Sequence, residues 1–299
     1  MNVGFVGLGK MGFNIVEHLL ECDHNLVVFD LSEEVVAALA EKGAVASSSL
    51  QELAGVLQSP RILWLMVPAG DPVDSTLETL IPLLQPGDIV IDGGNSHYTD
   101  SEKRAAYLHE KGIYFLDAGT SGGLEGARNG ACIMVGGDKT AYDVIEPLLK
   151  DLCVEKGYGY MGKSGSGHFA KMVHNGVEYG MMQALGEGFD LLASSGYDFN
   201  LEEVSRVWAH GSVIRGWLMD LMLQAFHKDP KLDYLSGRIA DSGEGRWTVE
   251  AALKHEVSIP VIAASLFSRY RSRAEDNLSD RVVAALRHEF GGHAFSEKP

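Results

Sequence analysis

A chain of 299 residues that is 45% hydrophobic and 22% charged can hold one large or two medium globular domains. Its 41 acidic residues against 25 basic ones give a net charge of −16, which excludes unassisted binding to nucleic acid or anionic lipid and leaves a small molecule as the expected partner. Cys22, Cys132 and Cys153 are odd in number, widely spaced and free of any C-x-x-C, and no basic leader or apolar run of ~18 residues is present, so the chain is read as cytoplasmic, with neither disulfide framework, zinc site nor membrane partner.

Asn2 to Val6 reads as a short strand running into Gly7-Leu8-Gly9-Lys10-Met11-Gly12, after which Ile15, Val16, Leu19 and Leu20 recur at helical spacing. Strand, Gly-x-Gly-x-x-Gly and helix in that order let a pyrophosphate approach a helix N-terminus, where free N–H groups and the dipole favour anions. The next strand, Leu26 to Phe29, ends at Asp30, placed to accept hydrogen bonds from an adenosine ribose. A carboxylate there favours the 2'-hydroxyl of NAD over the 2'-phosphate of NADP, and Leu31-Ser32-Glu33-Glu34 offers no arginine to reverse the preference. NAD is the expected cofactor and NADP the second choice.

Helical periodicity follows from Glu33 to Glu41 and Leu50 to Leu57, then a buried strand from Ile62 to Val67, a helix from Val73 to Leu84 and a strand from Ile89 to Ile91. Repeated βα units predict an α/β fold, a Rossmann-type doubly wound parallel sheet whose ligands sit beyond the strand C-termini. The loops after Val67, Ile91 and Leu116 are therefore candidate ligand loops, with Val67 and Asn95 as cofactor contacts. Two of them, Asp92-Gly93-Gly94-Asn95-Ser96 and Asp117-Ala118-Gly119-Thr120-Ser121-Gly122-Gly123, combine glycine with small polar side chains suited to an oxygen-rich ligand. A strand at Ala131 to Val135, a helix at Val144 to Leu149 and a glycine-rich hinge at Gly157 to Gly167 complete a dinucleotide-binding domain over residues 1–164.

Residues 165–299 read as an all-helical substrate and oligomerisation domain. Its first helix, Gly165 to Leu192, places Lys171, His174, Asn175, Glu178 and Tyr179 at i, i+3, i+4, i+7 and i+8, a polar stripe on a helix otherwise rich in apolar residues. Such a stripe faces a cavity or ligand, and burial there would shift the lysine and glutamate toward acid and base roles near neutral pH. An ordinary buried Lys–Glu pair is the alternative. Further helices are expected at Leu201 to Trp208, Gly216 to Phe226, Val249 to Lys254 and Pro260 to Tyr270, with a glycine loop at Gly243 to Thr248. Arg246, Arg269, Arg271, Arg273, Arg287 and His293 are the candidate phosphate ligands of this acidic chain. The histidines show no metal-binding spacing.

With these stretches in view, the sequence resembles the decarboxylating 6-phosphogluconate dehydrogenases, of the β-hydroxyacid dehydrogenase superfamily, over essentially its whole length. The residues that carry the resemblance are Gly7 to Gly12, Asp92 to Ser96, Ser121 to Gly123, Gly167 to Tyr179, Gly245 to Thr248 and Phe290 to His293. The resemblance implies Lys171 as general base and Glu178 as general acid, with His174 and Asn175 beside the reacting carbons. It implies that Asn95, Ser121, Gly122, Gly123 and Tyr179 hold the substrate and that Arg269 and Arg287 bind its phosphate, aided by Arg246, Thr248 and His293. The chain resembles the short bacterial form, without a second helical half, and carries Arg246 where the family often has lysine.

The implied reaction oxidises C3 of 6-phosphogluconate, loses CO2 from the 3-keto acid and yields ribulose 5-phosphate, with no metal called for. A homodimer or homotetramer is expected, with the C-terminal arginine reaching a neighbour's pocket. A non-decarboxylating dehydrogenase of the 3-hydroxyisobutyrate kind would share the glycine turn and lysine but not need Glu178 and the arginines. A silent NAD-binding sensor would have no use for the stripe.

Overall fold

The structure, a computed structural model, describes residues 1–274 and 278–291. By its internal contacts the chain divides into two units, Met1–His174 and the residues from Asn175 onward.

The first unit follows the expected βα alternation: β1 (Asn2–Val6), α1 (Lys10–Glu21), β2 (Asn25–Phe29), α2 (Glu33–Ala40), β3 (Val45–Ala46), α3 (Leu50–Val56), β4 (Ile62–Leu65), α4 (Asp71–Leu80) and β5 (Ile89–Asp92). It continues through α5 (Tyr98–His109), β6 (Tyr114–Ser121), α6 (Gly123–Asn129), β7 (Ala131–Gly137), α7 (Lys139–Leu152) and β8 (Cys153–Gly162) into α8 (Ser166–Ser194). The eight strands lie in the order β3-β2-β1-β4-β5-β6-β7-β8. Alternate residues feed two cores. Phe5, Val28, Trp64 and Ile91 meet α1 and α7 on one face, whereas Val27, Leu63, Leu65 and Val90 meet the helices on the other.

Three local expectations are corrected. Asp117 to Ser121 is not a loop but the buried end of β6. The Gly157 to Gly167 hinge is mostly strand, because β8 runs to Gly162 beside β7. The sheet is parallel except at β6 and β7, which run antiparallel. The nine residues between those two strands, with α6 as one short helix, are too few for a parallel crossover.

The second unit continues α8 and adds α9 (Leu201–Ala209), α10 (Trp217–Lys228), α11 (Glu244–Lys254), α12 (Pro260–Ser272) and α13 (Leu278–Gly291), with no strand among its described residues. Phe189, Met219 and Phe226 form its buried nucleus. The expected glycine loop at Gly243 to Thr248 is instead the start of α11, with Gly243 at its N-cap at φ +98°. Nor is α8 enclosed by its own chain, as its apolar residues suggest: Val177, Met181 and Leu191 are 47%, 53% and 72% exposed.

Candidate active site

The strand order reverses beside β1, with β2 on one side and β4 on the other, and the C-terminal ends of these strands open a cleft of about 910 Å³. Gly7, Gly9, Lys10, Met11, Gly12, Asp30, Val67 and Asn95 all line it, as the sequence predicts. Leu8 does not; its side chain is buried and its N–H is donated to Asp30. The glycines have separable causes. Gly7 stands at φ +94°, where a Cβ would lie 2.4 Å from the Met66 carbonyl oxygen, and a Cβ on Gly12 would lie 2.0 Å from that of Gly7. A Cβ on Gly9 would meet nothing within 4 Å, so this residue leaves an open cradle in front of α1. No side chain caps that helix, and its first N–H groups are available to an anion. At the end of β2, Asp30 Oδ2 accepts the Leu8 N–H at 2.6 Å and Oδ1 accepts the Ser32 N–H at 2.9 Å. Turn, open helix end and carboxylate fit a dinucleotide.

The loop after β5 is held from below. Buried Asp92 accepts from Ser96 Oγ at 2.7 Å and the Gly94 N–H at 3.2 Å, and Arg104 Nη1 lies 3.4 Å away. Arg104 also donates to Asp74 and to the Gly70 carbonyl, tying the loops after β4 and β5 together. Gly93 is required because a Cβ would lie 2.1 Å from Trp64 Nε1. Asn95 is left exposed at the cleft.

Lys171 is 6% exposed and sits over β6, where a Cβ on Gly119 would come within 2.3 Å of the lysine Cβ. One helical turn on, His174 is exposed, with Nε2 3.4 Å from Ser121 Oγ. Gly122 and Gly123 follow at φ +116° and +58°, opening α6. Thus the end of β6 brings Ser121 beside His174, with Gly122 and Gly123 following it into α6.

In the second unit, Asn175, Glu178, Tyr179 and Arg269 line a pocket of about 340 Å³ together with Asp241, Ser242 and Glu244. The Arg269 guanidinium lies 3.3 Å from the Tyr179 ring centroid and donates to the Ala240 carbonyl. The Tyr179 hydroxyl donates to Asp241 Oδ1 at 3.0 Å, and burial first, then this neighbour, push the phenol up against the opposing pull of Ser242 and Arg269. Glu178 is only half-buried, so its own chain does not seal it as the acid role anticipates.

Other predicted ligands lie apart from this pocket's lining. Thr248 is buried, donates to the Glu244 carbonyl at 2.9 Å and packs where a Cβ on Gly176 would meet it at 2.7 Å. Arg246 is exposed, 3.7 Å from Glu250, because the expected loop is helix. Arg287 is exposed on α13. His293 lies outside the described residues. Sequence reasoning placed Asp117 in a ligand loop rather than a strand, where a charge flanked by apolar residues was the available signal, and it did not single out Arg104 or Asp241. Among the described residues, no group of His, Cys, Asp or Glu is placed to hold a metal ion, and no helix is long and apolar enough to cross a membrane.

A dinucleotide cleft at the strand ends and an enclosed lysine on the following helix define a nicotinamide-dependent dehydrogenase of the Rossmann class. Residues 2–174 match the NAD binding domain of 6-phosphogluconate dehydrogenase and residues 167–298 its C-terminal domain. YqeC of Bacillus subtilis, whose name gives its 6-phosphogluconate dehydrogenase assignment as provisional, is 54% identical over 298 residues, the whole of both chains. The NAD(+)-dependent, decarboxylating 6-phosphogluconate dehydrogenase of Haloferax volcanii is 46% identical over 300 residues, covering 100% of this chain and 99% of its own. The solved Plasmodium falciparum 6-phosphogluconate dehydrogenase superposes with a TM-score of 0.85 at 29% identity, covering all of this chain and 67% of its own. The chain belongs to the 6-phosphogluconate dehydrogenase family.

Proposed function

We propose that this protein converts 6-phosphogluconate to ribulose 5-phosphate and CO2 with reduction of NAD. The observation that carries the reading is Lys171, enclosed over Gly119 with His174 beside Ser121, in a chain matched by the family along both domains. Bound NAD supplies the acceptor for the hydride that leaves C3. Lys171, neutral at that moment, takes the proton of the C3 hydroxyl. Now cationic beside the C3 carbonyl, it draws in the electron pair freed when the carboxyl carbon departs as CO2. Lys171 passes its proton to the C3 oxygen as CO2 leaves. Glu178, as general acid, delivers a proton to C1 of the resulting enediol while the neutral lysine takes back the hydroxyl proton as the ketone forms, and a proton returned from Lys171 to Glu178 resets both. Asn175 and His174 orient the reacting carbons, while Tyr179 and Arg269 hold the phosphate end.

The site is completed by a second copy of the chain in this reading. The exposed apolar face of α8 at Val177, Met181 and Leu191 supports a homo-oligomer, as does Arg287, exposed on α13. A cytoplasmic setting belongs to the same proposal.

Steady-state assays with 6-phosphogluconate and each nicotinamide cofactor test the activity. Lys171→Met should abolish single-turnover NADH formation, whereas Glu178→Gln should preserve the first turnover's NADH and slow overall release of product. NADH formed at wild-type rate by the lysine variant would refute the assignment.

A further inference from the structure

Alternation along β6 puts Asp117, Gly119 and Ser121 on one face. Residues of α8 at three-residue intervals meet that face in the same order. Asp117 Oδ2 accepts the His168 N–H at 2.9 Å, Gly119 makes room for Lys171, and Ser121 lies against His174. The other Asp117 oxygen, Oδ1, accepts the Gly165 N–H at 2.7 Å. Both bonds satisfy donors that the start of a helix leaves without intrahelical partners, and a carboxylate suits that end of the dipole.

Close packing seats the same helix start. A Cβ on Gly167 would lie 2.3 Å from the Asp117 carbonyl oxygen and 2.5 Å from that of Met134, so the first turn rests directly on strand backbone. Ser166 Oγ and His168 Nε2 are buried without partners, and His168 Nδ1 lies 2.7 Å from Ser101 Oγ. Asp117 is fully buried, and burial pushes its carboxyl up against the pull of His168 and the two N–H groups. An acid held at such a place costs stability, which directs attention to what its two bonds align.

We propose that Asp117 is a positioning residue whose carboxylate sets the first turn of α8, and through it the placement of Lys171, one helical turn beyond His168. The inference rests on the proposed reaction for its consequence and on the helix start for its cause. Asn in its place keeps the shape and one acceptor but turns an amide N–H2 toward a backbone N–H. Ala removes both bonds.

The test compares the full-length wild type with Asp117→Asn and Asp117→Ala. Hydrogen exchange over residues 165–171 should accelerate about tenfold or more in both variants while the glycine turn at 7–12 is unchanged. Labelling of Lys171 by a small amine reagent, read by peptide mass, should also rise. kcat with 6-phosphogluconate should fall roughly 10- to 100-fold, with the affinity for NAD unchanged and the C3-deuterium isotope effect enlarged, since the hydride step depends on the lysine's placement. Unchanged exchange and labelling would overturn the cap, and faster exchange with wild-type kcat would overturn its catalytic consequence. A wild type inactive on 6-phosphogluconate would refute the functional reading, while exchange and labelling still decide whether Asp117 positions Lys171. Should the alanine variant not fold, the asparagine variant carries every one of these measurements.

Discussion

Asp30 Oδ2 accepts the backbone N–H of Leu8 at 2.6 Å, so the carboxylate at the end of β2 also holds the glycine turn at the end of β1. One residue thereby shapes the cradle and, in the proposed reading, meets the cofactor's ribose. Leu31 beside it is 94% exposed and provides no positive charge. NAD should be preferred over NADP at least tenfold in kcat/KM, a difference of about 1.4 kcal/mol. Asp30→Ala combined with Leu31→Arg should relax that ratio, and it should also raise KM for NAD because the Leu8 N–H loses its acceptor. Equal turnover with NADP by the wild type would contradict the assignment.

Arg269 stacks on Tyr179 with its guanidinium 3.3 Å from the ring centroid. A planar cation presented this way can meet a phosphate with its edge while the ring supports its face. Arg269→Ala should raise KM for 6-phosphogluconate about 10- to 100-fold and leave KM for NAD within about twofold. Arg269→Lys should recover only part of the loss, because an ammonium restores the charge but neither the fork nor the stack. Parallel KM measurements for both ligands decide it.

A methyl group at residue 119 would fall 2.3 Å from the Lys171 Cβ. Backbone of strand and helix must separate to accept it. Gly119→Ala should cost about 1–3 kcal/mol in denaturant unfolding and lower kcat about 100-fold through displacement of the lysine. Gly55→Ala, inside α3 where a Cβ meets nothing within 4 Å, is the control: it should gain up to about 1 kcal/mol of stability and leave kcat unchanged.

Burial raises the Asp117 carboxyl from its ordinary value of 3.8. An acid whose folded value is raised holds its proton more tightly in the fold than in the unfolded chain, so its contribution to stability is fully present below the unfolded value and is lost as pH rises through the folded one. Asparagine does not titrate. The Tm of Asp117→Asn minus that of the wild type should therefore climb as pH rises from about 4 and level off above the raised value. A difference that falls over this range would mean that the N–H groups and His168 outweigh burial.

The glycine turn, Asp30 and the Lys171 stripe were legible because local chemistry dictates them: a backbone that needs glycine, a carboxylate at a strand end, a helical period. What was not legible arose from tertiary contact. Asp117 to Ser121 looked like a loop because its glycine and small polar residues are typical of turns, yet Gly119 is small to admit Lys171, and Asp117 serves a helix 48 residues away at Gly165. Gly243 to Thr248 read as a loop through its glycines, but Gly245 lies where a Cβ would come within 2.4 Å of the Tyr179 ring, a packing constraint inside a helix. The face of α8 at Met181 and Leu191 looked buried because apolar side chains at helical spacing are usually enclosed, whereas here they are exposed.

That face and Arg287 bear on the assembly. Arg287 is exposed on α13, and in one copy the pocket proposed for the phosphate counts Arg269 as its arginine beside the carboxylates of Glu178, Asp241 and Glu244. A dianionic phosphate is poorly matched to that balance unless more positive charge arrives. The proposed source is a second copy contributing Arg287. Arg287→Ala should then raise KM for 6-phosphogluconate far more than for NAD. Mixing two inactive variants gives the sharper measurement, Lys171→Met with Arg287→Ala. Under two-fold symmetry random re-pairing makes half the dimers mixed, and each mixed dimer holds one pocket with both residues intact, so about a quarter of wild-type activity should return. Absence of any recovery, with subunit exchange shown by mass, would mean that Arg287 serves its own chain or no phosphate at all.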